Sequence, residues 1–130
     1  TPLYSSAASD VYKRQVSREG LTVMLHMDGD WAPNLPYLRE LPKRKCIIQI
    51  DEHTDAFKAK EILGDRQCID AGPMELRMEK STPTLIEEYC KKLIDVVGEG
   101  GGFILKSEPS PEAKPENIKA VVNAAKKYAY

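Results

Sequence analysis

The chain alternates between short apolar runs and longer segments with helical periodicity. Four apolar runs cover residues 21–26, 46–50, 67–70 and 102–105. Each run is nearly continuous and partly β-branched, which is typical of strands buried on both faces of a parallel sheet. The pattern therefore predicts four short strands, spread along most of the chain.

The segments that follow the last two runs have clear helical patterns. Thr82 is a good N-cap and Pro83 a good first helical residue, and apolar side chains then recur on one face until Gly98. A second long helix begins at Pro115 and keeps one apolar face to the end of the chain. Two shorter helices are predicted at about residues 35–41 and 55–63.

The resulting order, a strand followed by a helix four times over, predicts an α/β fold with a parallel sheet. Two architectures share that order. One is a small doubly wound sheet, and the other is half of an eight-stranded (β/α)₈ barrel. Periodicity does not distinguish them.

Composition narrows the possible partners. The net charge of -1 gives no sign of a nucleic-acid partner or an anionic membrane surface, and no apolar run approaches the roughly 20 residues needed to span a bilayer. Cys46, Cys68 and Cys90 stand singly and form an odd set, which argues against a disulfide framework. We therefore expect buried, inert thiols and a cytoplasmic protein.

The N-terminal segment differs from the rest of the chain. Residues 5–15 (SSAASDVYKRQ) have no hydrophobic period and resemble the in-frame translation of a sequencing-library transposon adaptor. We therefore predict that residues 1–15 are non-native and disordered. Residues 16–130 would then be the native domain, with an upstream portion missing.

Three motifs resemble the uroporphyrinogen decarboxylase and corrinoid methyltransferase superfamily. Residues 100–105 (GGGFIL), a polar loop and residues 113–120 (AKPENIKA) resemble that superfamily's last strand, loop and helix. Residues 25–31 (LHMDGDW) resemble its strand ending in a His-x-Cys-Gly or His-x-x-Gly site, and residues 55–65 match the helix before the next strand. The resemblance implies a (β/α)₈ TIM barrel, of which this chain carries the C-terminal half, four βα units.

The resemblance also implies a metal site. One branch of the superfamily moves a methyl group between a corrinoid protein and a small acceptor, using zinc held by one histidine and two cysteines. His26 stands at the position of the histidine ligand, and Asp28 at the position of the first cysteine ligand. The loop after the last strand has no cysteine, and Glu108 is the nearest residue there that could bind a metal. Since imidazole and carboxylate groups both bind zinc, we expect these three residues to hold zinc or another divalent metal.

Further candidates follow the predicted strands, where barrel enzymes carry their active sites. Asp30 and Asp51 are candidate catalytic acids or bases. The candidate substrate-binding residues are Trp31, His53 and Asp70. Trp31 could instead pack a loop onto the barrel rim, and His53 could simply cap the following helix.

The resemblance leaves three functions open. The first is metal-dependent methyl transfer between a corrinoid protein and a small acceptor or donor, which we expect. The second is uroporphyrinogen decarboxylation, but residues 106–110 lack the Gly-His-Gly stretch typical of that branch. The third is a degenerate barrel that only binds a partner. The half-barrel alone is expected to be inactive.

Overall fold

A four-stranded parallel sheet forms the centre of the structure, a computed structural model that describes residues 11–129 without the side chain at position 75. The strands are β1 (Val23–Met27), β2 (Cys46–Ile50), β3 (Cys68–Ala71) and β4 (Phe103–Leu105). They lie in sequence order, and each pairs in parallel with the next. This confirms the α/β fold with repeated βα units, the arrangement of half a TIM barrel.

Helices connect the strands, each close to its predicted position. A 3₁₀ turn (Ala32–Asn34) and α2 (Leu35–Leu38) follow β1, whereas α3 (Ala56–Leu63) follows β2. A 3₁₀ turn (Met74–Leu76) and α4 (Pro83–Lys92) follow β3, and α5 (Pro115–Tyr128) follows β4. The long helix predicted from Pro83 continues past α4 as a π-helical segment (Leu93–Val97), with Gly98 as its C-cap.

Capping residues explain where the helices begin. Asp55 accepts hydrogen bonds from the backbone N–H groups of Phe57 at 2.8 Å and Lys58 at 3.2 Å, and so begins α3. Thr82 accepts from the backbone N–H of Leu85 at 3.4 Å, and Pro83 follows as the first residue of α4. Pro115 likewise opens α5.

The sheet has two different faces. On β2, Cys46, Ile48 and Ile50 are buried, and they belong to an apolar core shared with α2, α3 and the π-helical segment. Ile47 and Gln49 point to the opposite face because side chains alternate along a strand. A second apolar cluster joins α4 to α5. The helices therefore cover one face, and the other corresponds to the interior of a barrel.

The expectation of disorder for residues 1–15 is wrong for residues 11–15. Residues 11–18 form a helix, α1. Ser17 is buried and donates to the carbonyl oxygen of Lys13 at 2.8 Å, which supports the last turn, and Gly20 follows with a φ of 82°. Residues 1–10 lie outside the described part, and the non-native origin of the segment stays a prediction.

Within residues 11–129, each helix is too short or too polar to cross a bilayer.

Candidate functional site

A row of polar side chains crosses the inner face of the sheet. In the strand register, His26 on β1 lies beside Gln49 on β2, Gln49 beside Asp70 on β3, and Asp70 beside Ile104 on β4. All four point away from the helices, because each alternates with residues of the apolar core. The row lies near the carboxyl ends of the strands, which is where barrel enzymes bind substrate.

His26 has an oxygen atom beside each ring nitrogen. Nδ1 lies against Oε1 of Gln49, and Nε2 lies 3.0 Å from Oδ1 of Asp28. The hydrogen bond to Gln49 and the negative charge of Asp28 raise the pKa of His26 above its ordinary value. The side chain is 54% exposed, so Nε2 and Asp28 together form an accessible nitrogen–oxygen pair.

Asp70 is the most buried carboxylate of the row, at 4% exposure. Its Oδ2 accepts a hydrogen bond from Nε2 of Gln49 at 3.2 Å. Its Oδ1 is buried without a hydrogen-bond partner among the described residues. Burial raises the pKa of Asp70, although the nearby charge of Lys106 and the bond from Gln49 oppose the rise.

Lys106 and Glu108 follow β4 and face the same cluster. Lys106 is 9% exposed, and its Nζ donates to Oε2 of Glu108 at 3.0 Å. The charges of both residues act on His26 and on Asp70. A buried lysine is rare unless it is paired, so Lys106 is the principal cation of this site.

Gly72 allows the ends of β3 and β4 to approach closely. A Cβ atom at position 72 would lie 2.1 Å from the backbone oxygen of Lys106, a distance that no side chain tolerates. The backbone N–H of Lys106 also donates to the carbonyl oxygen of Ala71 at 2.9 Å. These contacts fix Lys106 relative to Asp70.

A second cluster connects the loops that follow β1 and β2. Asp51 accepts hydrogen bonds from the backbone N–H groups of Gly29 at 2.6 Å and His53 at 2.9 Å. Thr54 accepts from the N–H of Trp31 at 3.0 Å and donates to the carbonyl oxygen of Gly29 at 2.9 Å. Burial opposes ionisation of Asp51, but the bonds from Gly29 and His53 lower its pKa overall. Asp51 therefore holds the loop that carries Asp28.

The structure divides the predicted site residues into two sets. His26, Asp28, Asp70 and Glu108 belong to the inner-face cluster. The remaining residues make local loop contacts, because Asp30 accepts from the N–H of Ala32, Trp31 donates from Nε1 to the carbonyl oxygen of Asp28, and His53 lies 3.2 Å from Asp51. The residue that caps α3 is Asp55 and not His53.

The donor atoms fit a divalent metal at one pair of residues. His26 Nε2 and Asp28 Oδ1 lie 3.0 Å apart, which is an ion-pair distance and slightly shorter than the separation of two ligands on a tetrahedral zinc ion. Glu108 is bonded to Lys106 and would have to leave it to complete the set. Among the described residues, three potential ligands come within 4.8 Å of one another at Asp51, Glu52 and His53, but Asp51 already accepts two backbone hydrogen bonds there.

Two residues of the cluster were missed from the sequence, and each left a usable signal. Gln49 is a polar residue inside an otherwise apolar strand, which indicates a specific partner. Lys106 lies two positions after Ile104 and therefore faces the same side of the sheet. Both could have been found by following alternation along each strand past its last apolar residue.

A groove of about 910 Å³ lies at the opposite end of the strands. Thr22, Cys46 and Gly102 line it, together with residues that precede β2 and β3. These positions belong to the amino ends of the strands. The groove is therefore separate from the inner-face cluster.

Comparison with known protein families identifies the family of the chain. The family model for Uroporphyrinogen decarboxylase (URO-D) matches residues 2–128, nearly the whole chain. No curated protein matches the chain. The half-barrel fold agrees with the family match, and the chain belongs to the uroporphyrinogen decarboxylase (URO-D) family.

Proposed function

We propose that this chain contributes the metal-binding part of an enzyme that transfers a methyl group between a corrinoid protein and a small acceptor. Members of the family are generally enzymes. The observation that supports methyl transfer is the pairing of His26 Nε2 with Asp28 Oδ1 at 3.0 Å. These two residues match positions that hold zinc in the methyltransferase branch.

In this proposal, His26 and Asp28 hold a divalent ion. Glu108 becomes a third ligand once its hydrogen bond from Lys106 is broken. When bound, zinc would lower the pKa of an acceptor thiol and make it nucleophilic. The nitrogen donor of His26 and the oxygen donors of Asp28 and Glu108 also suit divalent ions harder than zinc. The corrinoid partner would dock over the carboxyl ends of the strands, where the cluster is exposed.

The other predicted residues receive supporting roles. Asp30 is exposed and is the candidate for taking a proton. Asp51 is held ionised by its hydrogen bonds, so it orients the loop and its substrate contacts more than it exchanges protons. Trp31, His53 and Asp70 are the proposed substrate contacts, with Trp31 and His53 on the rim and Asp70 in the interior.

Zinc binding to the purified chain tests the proposal. Isothermal titration calorimetry with Zn²⁺ should give one site in the wild type, lost in His26→Ala and in Asp28→Ala. Asp30→Ala is the matched control, because it removes a carboxylate from the same loop and should leave binding unchanged. If the wild type binds no zinc or similar ion, the metal mechanism is wrong.

The result also separates the alternatives. The decarboxylase branch works without a cofactor. If the chain binds no metal, the result would favour decarboxylation or a degenerate barrel. Residues 106–110 (KSEPS) carry no histidine or glycine, which is why we place decarboxylation second. Turnover of a methylated corrinoid with a thiol acceptor, by a protein containing the whole barrel, would establish methyl transfer directly.

A further inference from the structure

His26, Gln49 and Asp70 form one hydrogen-bonded chain across three neighbouring strands. The register places them in one row, and each side chain contacts the next, from Asp70 Oδ2 to Gln49 Nε2 and from Gln49 Oε1 to His26 Nδ1. A glutamine amide has two different ends, since its nitrogen only donates and its oxygen only accepts. The orientation of this amide therefore determines whether Nδ1 of His26 donates or accepts the hydrogen bond.

Asp70 fixes the orientation of the amide. An ionised carboxylate only accepts, so the NH₂ group of Gln49 must face Asp70 and its oxygen must face His26. Reversal would place two acceptors against each other at a site where Asp70 is 4% exposed. Burial raises the pKa of Asp70, and the nearby charge of Lys106 opposes the rise. The amide keeps this orientation at a pH above that pKa, where Asp70 is ionised. With the amide oxygen facing it, Nδ1 of His26 donates in this contact. Nε2 faces the carboxylate of Asp28, whose side chain is 82% exposed.

We propose that Gln49 and Asp70 are positioning residues that hold the His26 ring with its proton on Nδ1 and present Nε2 to the position beside Asp28. In neutral His26 the proton stays on Nδ1, because Asp70 holds the Gln49 amide in place whereas the exposed carboxylate of Asp28 can turn toward water. This tautomer leaves Nε2, the ring atom that pairs with Asp28, free to bind a metal. That role in metal binding rests on the proposed function. A hydrogen bond on the second ring nitrogen fixes the ring orientation and strengthens a histidine ligand.

The tautomer can be measured directly. Long-range ¹H–¹⁵N correlation spectra, recorded at a pH well above the pKa of His26, distinguish a ring protonated on Nδ1 from one protonated on Nε2. The wild type should show the Nδ1–H form of His26. Gln49→Leu removes the acceptor, and Asp70→Asn allows the amide to reverse. Both variants should shift His26 toward the Nε2–H form.

Two controls make the result specific. His53 reports in the same spectra, and its ring contacts Asp51 and not Gln49, so its signals should not change. Ile48→Val lies on the same strand but on the core face, and should lower stability without changing the His26 tautomer. Asp70→Asn, which keeps the shape of its side chain, provides the second test if Gln49→Leu does not fold.

Zinc affinity provides an independent measurement. Calorimetry with Zn²⁺ should show binding weakened by about 10- to 100-fold in Gln49→Leu. If the wild type binds zinc and Gln49→Leu binds it equally, with an unchanged tautomer, the positioning role is wrong. If the wild type binds no zinc but the tautomer shifts as expected, the positioning role stands and the proposed function fails.

Discussion

Asp51 connects two loops of the site, and its replacement by asparagine gives the most direct stability test. The carboxylate accepts two backbone N–H groups, from Gly29 at 2.6 Å and from His53 at 2.9 Å, and its side chain is 14% exposed. Asparagine has one acceptor oxygen, so its NH₂ group would face one of these donors. A hydrogen bond to a charged group is worth about 1.5–3 kcal/mol, and a neutral one less. We expect Asp51→Asn to lose about 2–4 kcal/mol of unfolding free energy.

Urea unfolding across a pH series checks both the magnitude and its cause. The hydrogen bonds lower the folded-state pKa of Asp51 below its ordinary value of 3.8, so their stabilisation is fully present above that pH. It is lost as the pH falls through the lower folded-state pKa, and the difference between wild type and Asp51→Asn should shrink there. Asp30→Asn is the control, because exposed Asp30 accepts a single backbone N–H and should cost less. A loss that is small at pH 7, or that does not change with acid, would refute the reasoning.

Two further predictions concern the close contact between β3 and β4 and the packing of α4. Gly72→Ala should lower the unfolding free energy by about 1–3 kcal/mol in urea titrations, because its Cβ would lie 2.1 Å from the backbone oxygen of Lys106 and would separate β3 from β4. Gly72 has no positive φ, so the loss would come from this contact and not from backbone strain, and unchanged stability would contradict the steric explanation. Burial raises the pKa of Cys90 to about 12, so native protein should not react there with a disulfide reagent at pH 8, whereas half-buried Cys68 should react slowly. Rapid native labelling of Cys90, identified by mass spectrometry, would show that α4 does not pack as described.

The fold was predictable because its local signals agree with its packing. Each apolar run became a strand within two residues of its predicted position, since each is too short for a helix and is followed by helical periodicity. The cap at Thr82 has the expected geometry. The π-helical turn was not predicted, because the apolar spacing of residues 93–97 is compatible with either hydrogen-bonding pattern.

The site was only partly predictable. His26 was found through the resemblance of a short motif, and Asp28 and Glu108 because they stand at or near the positions of the superfamily's cysteine ligands. The ends of parallel strands bring such residues to one edge of a sheet. The importance of Gln49 depends on contacts with residues 23 positions before it and 21 positions after it along the chain. No local pattern shows that Asp51 accepts two backbone hydrogen bonds.

The two sides of the cluster are supported in different ways, and this affects how the site can evolve. The loops after β1 and β2 bind each other through Gly29, Asp51 and Thr54, whereas the described hydrogen bonds of residues 107–113 stay within 106–113. Substitutions or length changes after β4 can therefore replace Glu108 while His26 and Asp28 keep their places. A lineage built on this sheet can exchange its third site residue in a single step and retain the other two.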